Sequence, residues 1–187
     1  MKYKIITPVS TEPILLPEAK LFLKVDVTDD DSLITGMVKS AREYCEAITG
    51  RAIAAQTIEA YLDGFPCKHE IELPHPPLVS VTSVKYKDFA GVETTMTADQ
   101  YIADVDSDVG RIVLSYGKLW PSFIPYPVNP IKIRFTAGYT VVPEQIRQAM
   151  HLHFGYFYYN RDMQELSVET DKAIKNILSM FKCRWFA

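Results

Sequence analysis

The hydrophobic period changes twice along this chain, which confines it to a fold with helices at both ends and strands between them. In the first helical stretch Leu33, Ile34, Met37, Val38, Ala41, Tyr44, Cys45 and Ile48 recur at the spacing of one helix face, and Gly50 stops the run. From about Ala52 to Ala137 the period is two: Ile58, Ala60 and Leu62 alternate with Glu59 and Tyr61, and Ile131, Ile133 and Phe135 alternate with Lys132 and Arg134. The helical period then returns. From Pro143 to about Asn160, Ile146, Ala149, Met150, His153, Phe154 and Phe157 share a face, while Leu152, Tyr156 and Tyr159 spread apolar surface to another. A final helix from about Val168 to Lys182 presents Ala173, Ile174, Ile177, Leu178 and Phe181. The pattern predicts an α+β protein: a helical bundle from the N- and C-terminal segments (1–51 and 138–187) with an inserted antiparallel β-domain (52–137).

The joints between these stretches carry their own signals. Leu16–Val25 reads as a short helix opened by Pro17 at its first position, and Pro143 fits the same position of the later helix, with Glu144 in its first turn. Asp29, Asp30 or Asp31 can cap the next helix, and all three favour its positive end. Lys39, Arg42, Glu43 and Glu46 fall off its apolar face and are expected at the surface. Pro74–Leu78 (P-H-P-P-L) cannot be a central strand, because three of its residues lack a ladder donor. Val79–Tyr86 and Val92–Thr97 form a hairpin around D-F-A-G, with Gly91 supplying a positive φ; Tyr101–Val105 and Arg111–Tyr116 bracket D-S-D-V-G. These runs give about six strands, enough for a small antiparallel sheet or barrel. Ser122–Pro130 is an exposed, proline-stiffened loop.

Composition excludes several classes. At 187 residues, 48% hydrophobic and 23% charged, the chain can bury a real core. Net charge is −3 and Lys and Arg are scattered, which disfavours sequence-specific nucleic-acid binding. Cys45, Cys67 and Cys183 are odd in number and far apart, so neither a disulfide framework nor a zinc site is indicated; Cys45 lies on an apolar helix face as a packing residue. No signal peptide and no membrane-length apolar run is present, which points to synthesis and folding in a cytoplasm. His151 and His153 point to different helix faces, and His69 and His75 have no neighbouring ligands. Asp104, Asp106 and Asp108 before Gly110 read as a polar hairpin tip rather than a calcium loop. With no nucleophile elbow and no phosphate loop, no catalytic, metal or cofactor site is expected, and the chain reads as non-enzymatic.

Four ordered blocks resemble one family. They are L-P-E-A-K-L-F-L-K-V-D with D-D-D-S-L-I-T-G-M-V-K-S-A-R-E-Y-C-E-A-I-T-G-R; L-D-G-F-P with E-I-E-L-P-H-P-P-L-V-S-V-T-S-V-K-Y; D-V-G-R-I-V-L-S-Y-G-K-L-W-P; and I-R-F-T-A-G-Y-T-V-V-P-E-Q-I-R-Q-A-M followed by Y-Y-N-R-D. Spanning Leu16 to Asp162, they resemble the head–tail connector (adaptor) proteins of long-tailed phages, in the longer form with a β-domain insertion. The resemblance implies a structural virion subunit that forms a ring of about twelve copies beneath the portal. That ring would extend the DNA channel, with DNA only as non-specific cargo, and dock a stopper or tail-completion protein. It implies assembly in the host cytoplasm and a final place in the virion neck, and is compatible with a monomer in isolation. Surplus apolar surface on the helices suggests Tyr156, Tyr159, Arg161, Trp185 and Phe186 as subunit or portal contacts. The alternative is a ligand- or peptide-binding module that uses the β-domain.

Overall fold

The computed structural model describes residues 1–162 and 165–183; Trp185 and Phe186 lie outside the described residues. The chain divides into a β unit, Met1–Pro8 with Ala55–Tyr139, and a helical unit, Val9–Ala54 with Thr140 onward. The α+β fold expected from the sequence is therefore present. The first strand belongs to the β unit, although the sequence pattern grouped residues 1–51 with the helices. Six residues of lone extended chain carry too little periodic signal to say which strand they pair with.

The β unit holds eight antiparallel strands in two sheets, more than the six expected. The larger sheet has the order β1 (Lys2–Thr7), β2 (Gln56–Leu62), β8 (Ile131–Ala137), β4 (Leu78–Lys87), β5 (Glu93–Thr95). The smaller has the order β3 (Glu70–Glu72), β7 (Arg111–Leu114), β6 (Tyr101–Asp104). β2 pairs with β8 in unbroken register, Ile58 opposite Phe135 and Ala60 opposite Ile133, so their apolar alternations coincide on one face. Ile58, Ala60, Val84, Ile133 and Phe135 on that face are buried, as are Ile71 and Ile112 of the smaller sheet. Full burial of such side chains is worth roughly 1.5–3 kcal/mol each.

Both hairpins form as expected. β4 and β5 pair around Gly91 at φ 88, where a side chain would be strained. β6 and β7 pair around a tip in which Asp104 Oδ1 accepts from the Asp106 and Ser107 N–H groups. Residues 74–77 are the expected connection, and Leu78 already opens β4. The Ser122–Pro130 loop is strapped to the end of β4: Phe89 N–H donates to Ile124 O, and Tyr126 N–H to Lys87 O.

The helical unit contains α1 (Leu16–Leu23), α2 (Asp31–Thr49), α3 (Glu144–Tyr159) and α4 (Val168–Leu178). Gly50 ends α2 in the left-handed conformation, its N–H bonded to Glu46 O. Ile34, Val38, Ala41 and Cys45 of α2 are buried, with Ile146, Ala149, Met150 and Phe154 of α3 and Ile174 and Leu178 of α4. Burial pushes the Cys45 thiol up to about 12, which makes it inert packing. Pro143 precedes α3 as its cap with ψ 137, so Glu144 is the first helical residue; one position is the resolution of a proline signal. α1 forms as expected but starts at Leu16, with Pro17 in its first turn rather than at its first position, and ends at Leu23 rather than Val25.

Candidate assembly surfaces

Ionic contacts fix the helices of the helical unit to one another. Arg42, expected at the surface, is instead only 5% exposed. Its Nε donates to Glu12 Oε2 at 2.8 Å and its Nη1 to Glu46 Oε2 at 2.7 Å. Burial raises the Glu46 carboxyl despite Arg42 and the Ile53 N–H that it accepts. Arg147 of α3 donates to Pro13 O at 2.7 Å and also reaches Glu18 of α1. Tyr44 of α2 donates to Asp171 of α4 at 2.5 Å.

Asp30 and Asp31, at the start of α2, make ties of this kind. Asp30 occupies the cap position without a side-chain bond to the helix backbone. Its Oδ2 instead accepts from Arg161 Nη2 at 2.6 Å and Tyr158 O–H at 2.8 Å, and those two donors hold the carboxyl below its ordinary range. Asp31 pairs with Lys20 of α1 at 2.7 Å. Propensity favours the cap, but a charged partner in reach offers the carboxylate a stronger bond.

Three of the sequence-predicted contact residues come together at the end of α3. Tyr159 is 66% exposed and its O–H donates to Leu23 O at 2.9 Å. Arg161 lies over the Tyr158 ring, 4.7 Å from its centroid, while it holds Asp30. Tyr156 is half-buried, edge-on to Phe157. Tyr159 and Arg161 thus already bind the α1–α2 turn within the subunit. Beside them Leu21 and Phe22 of α1 and Val27 of the turn remain exposed, a further apolar patch that the sequence pattern did not single out. A cleft of about 600 Å³ lies between α2, α3 and α4, lined by Tyr44, His153, Phe157 and Asp171 among others. His153 is buried there; burial lowers it to about 4, and its Nδ1 has no partner among the described residues.

The β unit exposes a second kind of surface. Phe89, Leu119, Ile124 and Val128, on the loops around β4, are more than half exposed. Phe65 stacks on Trp120 with centroids 4.8 Å apart, and the Trp120 N–H donates to Lys68 O at 2.7 Å. The outward face of the larger sheet is ionic: Glu93 accepts from Lys85 at 2.9 Å and Lys132 at 2.7 Å, and those two donors bring it to about 2. Burial opposes ionisation of Glu59, but the Tyr61 O–H and Arg134 outweigh it and the carboxyl lies below its usual range.

Among the described residues no group of His, Cys, Asp and Glu is placed to hold a metal, and no helix is long and apolar enough to cross a membrane. What this fold offers is surface: exposed apolar residues in each unit, and helices held in fixed relation by ionic ties. Such a construction suits a component of a larger assembly.

Comparison with known proteins agrees. The profile of the family described as head completion protein matches residues 14–181, nearly the whole chain, and the protein belongs to that family. It is thus a phage head–tail connector or completion protein, as the four sequence blocks implied, with a structural role in the virion. Its fold is similar to a chain in the neck of an empty gene transfer agent particle computed with C6 symmetry. The TM-score is 0.83 at 21% identity, over 100% of this chain and 98% of that one. Chains from the native gene transfer agent virion and from the native neck computed with C12 symmetry each give 0.79 at 21% identity, with the same coverage. No curated protein sequence matches.

Proposed function

We propose that the protein is an adaptor subunit of the virion neck. It assembles as a ring of about twelve copies under the portal, extends the DNA channel and docks the next neck or tail component. The observation that carries this is the joint extent of the likenesses. The family profile spans both units, and the fold similarity covers the full chain against components of necks treated with sixfold and twelvefold symmetry. The role is mechanical rather than enzymatic. The helical segments form the connector core and the β unit is its insertion. The subunit is made in the host cytoplasm and ends in the neck.

Tyr156, Tyr159, Arg161, Trp185 and Phe186 remain the proposed subunit or portal contacts. For Tyr159 and Arg161 the geometry refines the role: they brace the α1–α2 turn so that Leu21, Phe22 and Val27 are presented in one arrangement. The test is mass by light scattering across a concentration series, with and without portal protein. A closed ring of about twelve, alone or only with portal, is expected. A monomer that never associates with portal overturns the proposal. Alanine at the five contact positions that leaves head–tail joining intact removes them from it.

A further inference from the structure

The five strands of the larger sheet carry six cations, and all six share one face. Lys2 lies opposite Tyr61, Tyr61 opposite Lys132, and Lys132 opposite Lys85; Lys4 lies opposite Glu59, and Glu59 opposite Arg134. Lys87, two residues beyond Lys85, faces Glu93 across the β4–β5 ladder. Glu59 and Glu93 are the only carboxylates on these strands. Six cations against two anions make this a basic face on a chain whose net charge is −3.

Sheet stability does not require it. Lys85 and Lys132 sit directly opposite each other, an unfavourable cross-strand pair that Glu93 offsets by accepting from both. Lys2 and Lys4 have no ionic partner among the described residues, and Lys87 rests over the Tyr126 ring at 3.9 Å. The edge strand that bears Lys2 and Lys4 is exposed along its whole length.

We infer that this face is a contact surface for the phosphate backbone of duplex DNA. Its cations are spread over a pleated sheet: Lys132 and Lys85 face each other on adjacent strands about 4.8 Å apart, Lys2 and Lys4 lie two strands from β8 at about 9.6 Å, and neighbours along a strand are about 6.8 Å apart, which fits an extended polyanion better than one small anion. Lysines predominate, and the only arginine is engaged with Glu59, so the face has no free bidentate group for reading base edges. Partial neutralisation by Glu59 and Glu93 keeps the contact weak, as passage of DNA requires. That DNA is presented to this face rests on the neck reading; the charge arrangement does not.

The test uses the full chain, a labelled duplex of about 25 base pairs and fluorescence anisotropy over a sodium chloride series, with poly-glutamate as a second probe. Weak duplex binding that falls steeply with salt is expected. In Lys2→Glu/Lys4→Glu it drops at least about tenfold, and the slope of log affinity against log salt shrinks by about 1.8. Lys4→Gln gives a smaller loss in the same direction. Lys39→Glu/Lys172→Glu, at exposed positions of the helical unit, leaves binding unchanged. Absent binding, binding indifferent to the Lys2 and Lys4 changes, or tighter binding of poly-glutamate than of duplex overturns the inference; the last outcome makes an acidic protein surface the occupant. Light scattering on the same samples separates the two proposals. Rings without DNA affinity overturn only this one. DNA affinity through the face, in a monomer that ignores portal, supports this one and overturns the ring.

Discussion

Arg42 and Arg134 each hold a glutamate in a short ion pair, yet they belong to opposite designs. The Arg42 side chain is 6% exposed and bridges Glu12 and Glu46 inside the helical unit. The Arg134 side chain is 45% exposed and lies across Glu59 on an open sheet face. The helical unit turns charge inward, where directional bonds set how one helix lies on another. The β unit fixes its strands by ladder register and apolar alternation, which leaves its charges free to form a surface. An ionic group therefore ties segments together in one unit and lies on an open strand face in the other.

Arg42→Ala should break this comparison most visibly. It removes the buried guanidinium that joins Glu12 to Glu46, and loss of one member of a buried ion pair costs about 3–5 kcal/mol. Urea unfolding followed by circular dichroism reads the loss. A cost below about 1 kcal/mol would mean that water reaches the site and that the helical unit is no different from the sheet face.

His153 sharpens the same point through pH. Its ring lies 4.6 Å from that of Tyr44 and 5.0 Å from that of Phe157, and burial lowers its pKa from 6.5 to about 4. With the folded value below the unfolded one, the unfolded chain binds the extra proton first. Stability is complete above pH 6.5 and falls as pH drops toward 4, by about 3 kcal/mol in all. His153→Phe should flatten that part of the stability–pH curve; an unchanged slope would assign the dependence to another group.

Two glycines test packing in each unit. A Cβ on Gly110 would stand 2.1 Å from Leu78 Cβ, so Gly110→Ala should cost about 1–3 kcal/mol through displacement of β4. A Cβ on Gly155 meets Phe22 Cε1 at 2.9 Å, but that ring is 46% exposed and can swing aside. Helix propensity then offsets the strain by about 1 kcal/mol, so Gly155→Ala should be close to neutral in thermal unfolding. Equal costs would show that α3 is packed as tightly against α1 as the β6–β7 hairpin is against β4.

Much of this was legible in the sequence where the signal is local. The α2 face, Gly50, the Gly91 hairpin and the helix after Pro143 follow from spacing and from single-residue stereochemistry. The misses share one cause: pairing between distant segments. Lys2–Thr7 became a strand of the β unit because β2 accepts it. Asp30 took Arg161 rather than its own helix N–H groups because α3 ends beside it. Arg42 went inside because Glu12, thirty residues earlier, comes to meet it. The basic face was invisible for the same reason. Its cations lie at 2–4, 85–87 and 132–134, never more than two in any short run, and only the β2–β8–β4 register brings them level. Period-two alternation did place Lys132 and Arg134 together, which is the one part of the face a sequence can show.

Arg134→Ala gives a small effect and the closest contrast with Arg42→Ala. Glu59 keeps the Tyr61 O–H, at 2.8 Å, and Lys132 nearby, so its charge is not stranded when Arg134 is lost. The expected cost is about 0.5–1 kcal/mol, reduced further by salt, because an exposed guanidinium is already well solvated. Thermal unfolding at low and at high sodium chloride measures both parts. A loss of several kcal/mol, independent of salt, would mean that Arg134 is structural and that the sheet face is organised like the helical interior. A small, screened loss together with weaker duplex binding would separate what this arginine does for the fold from what the face does for a partner.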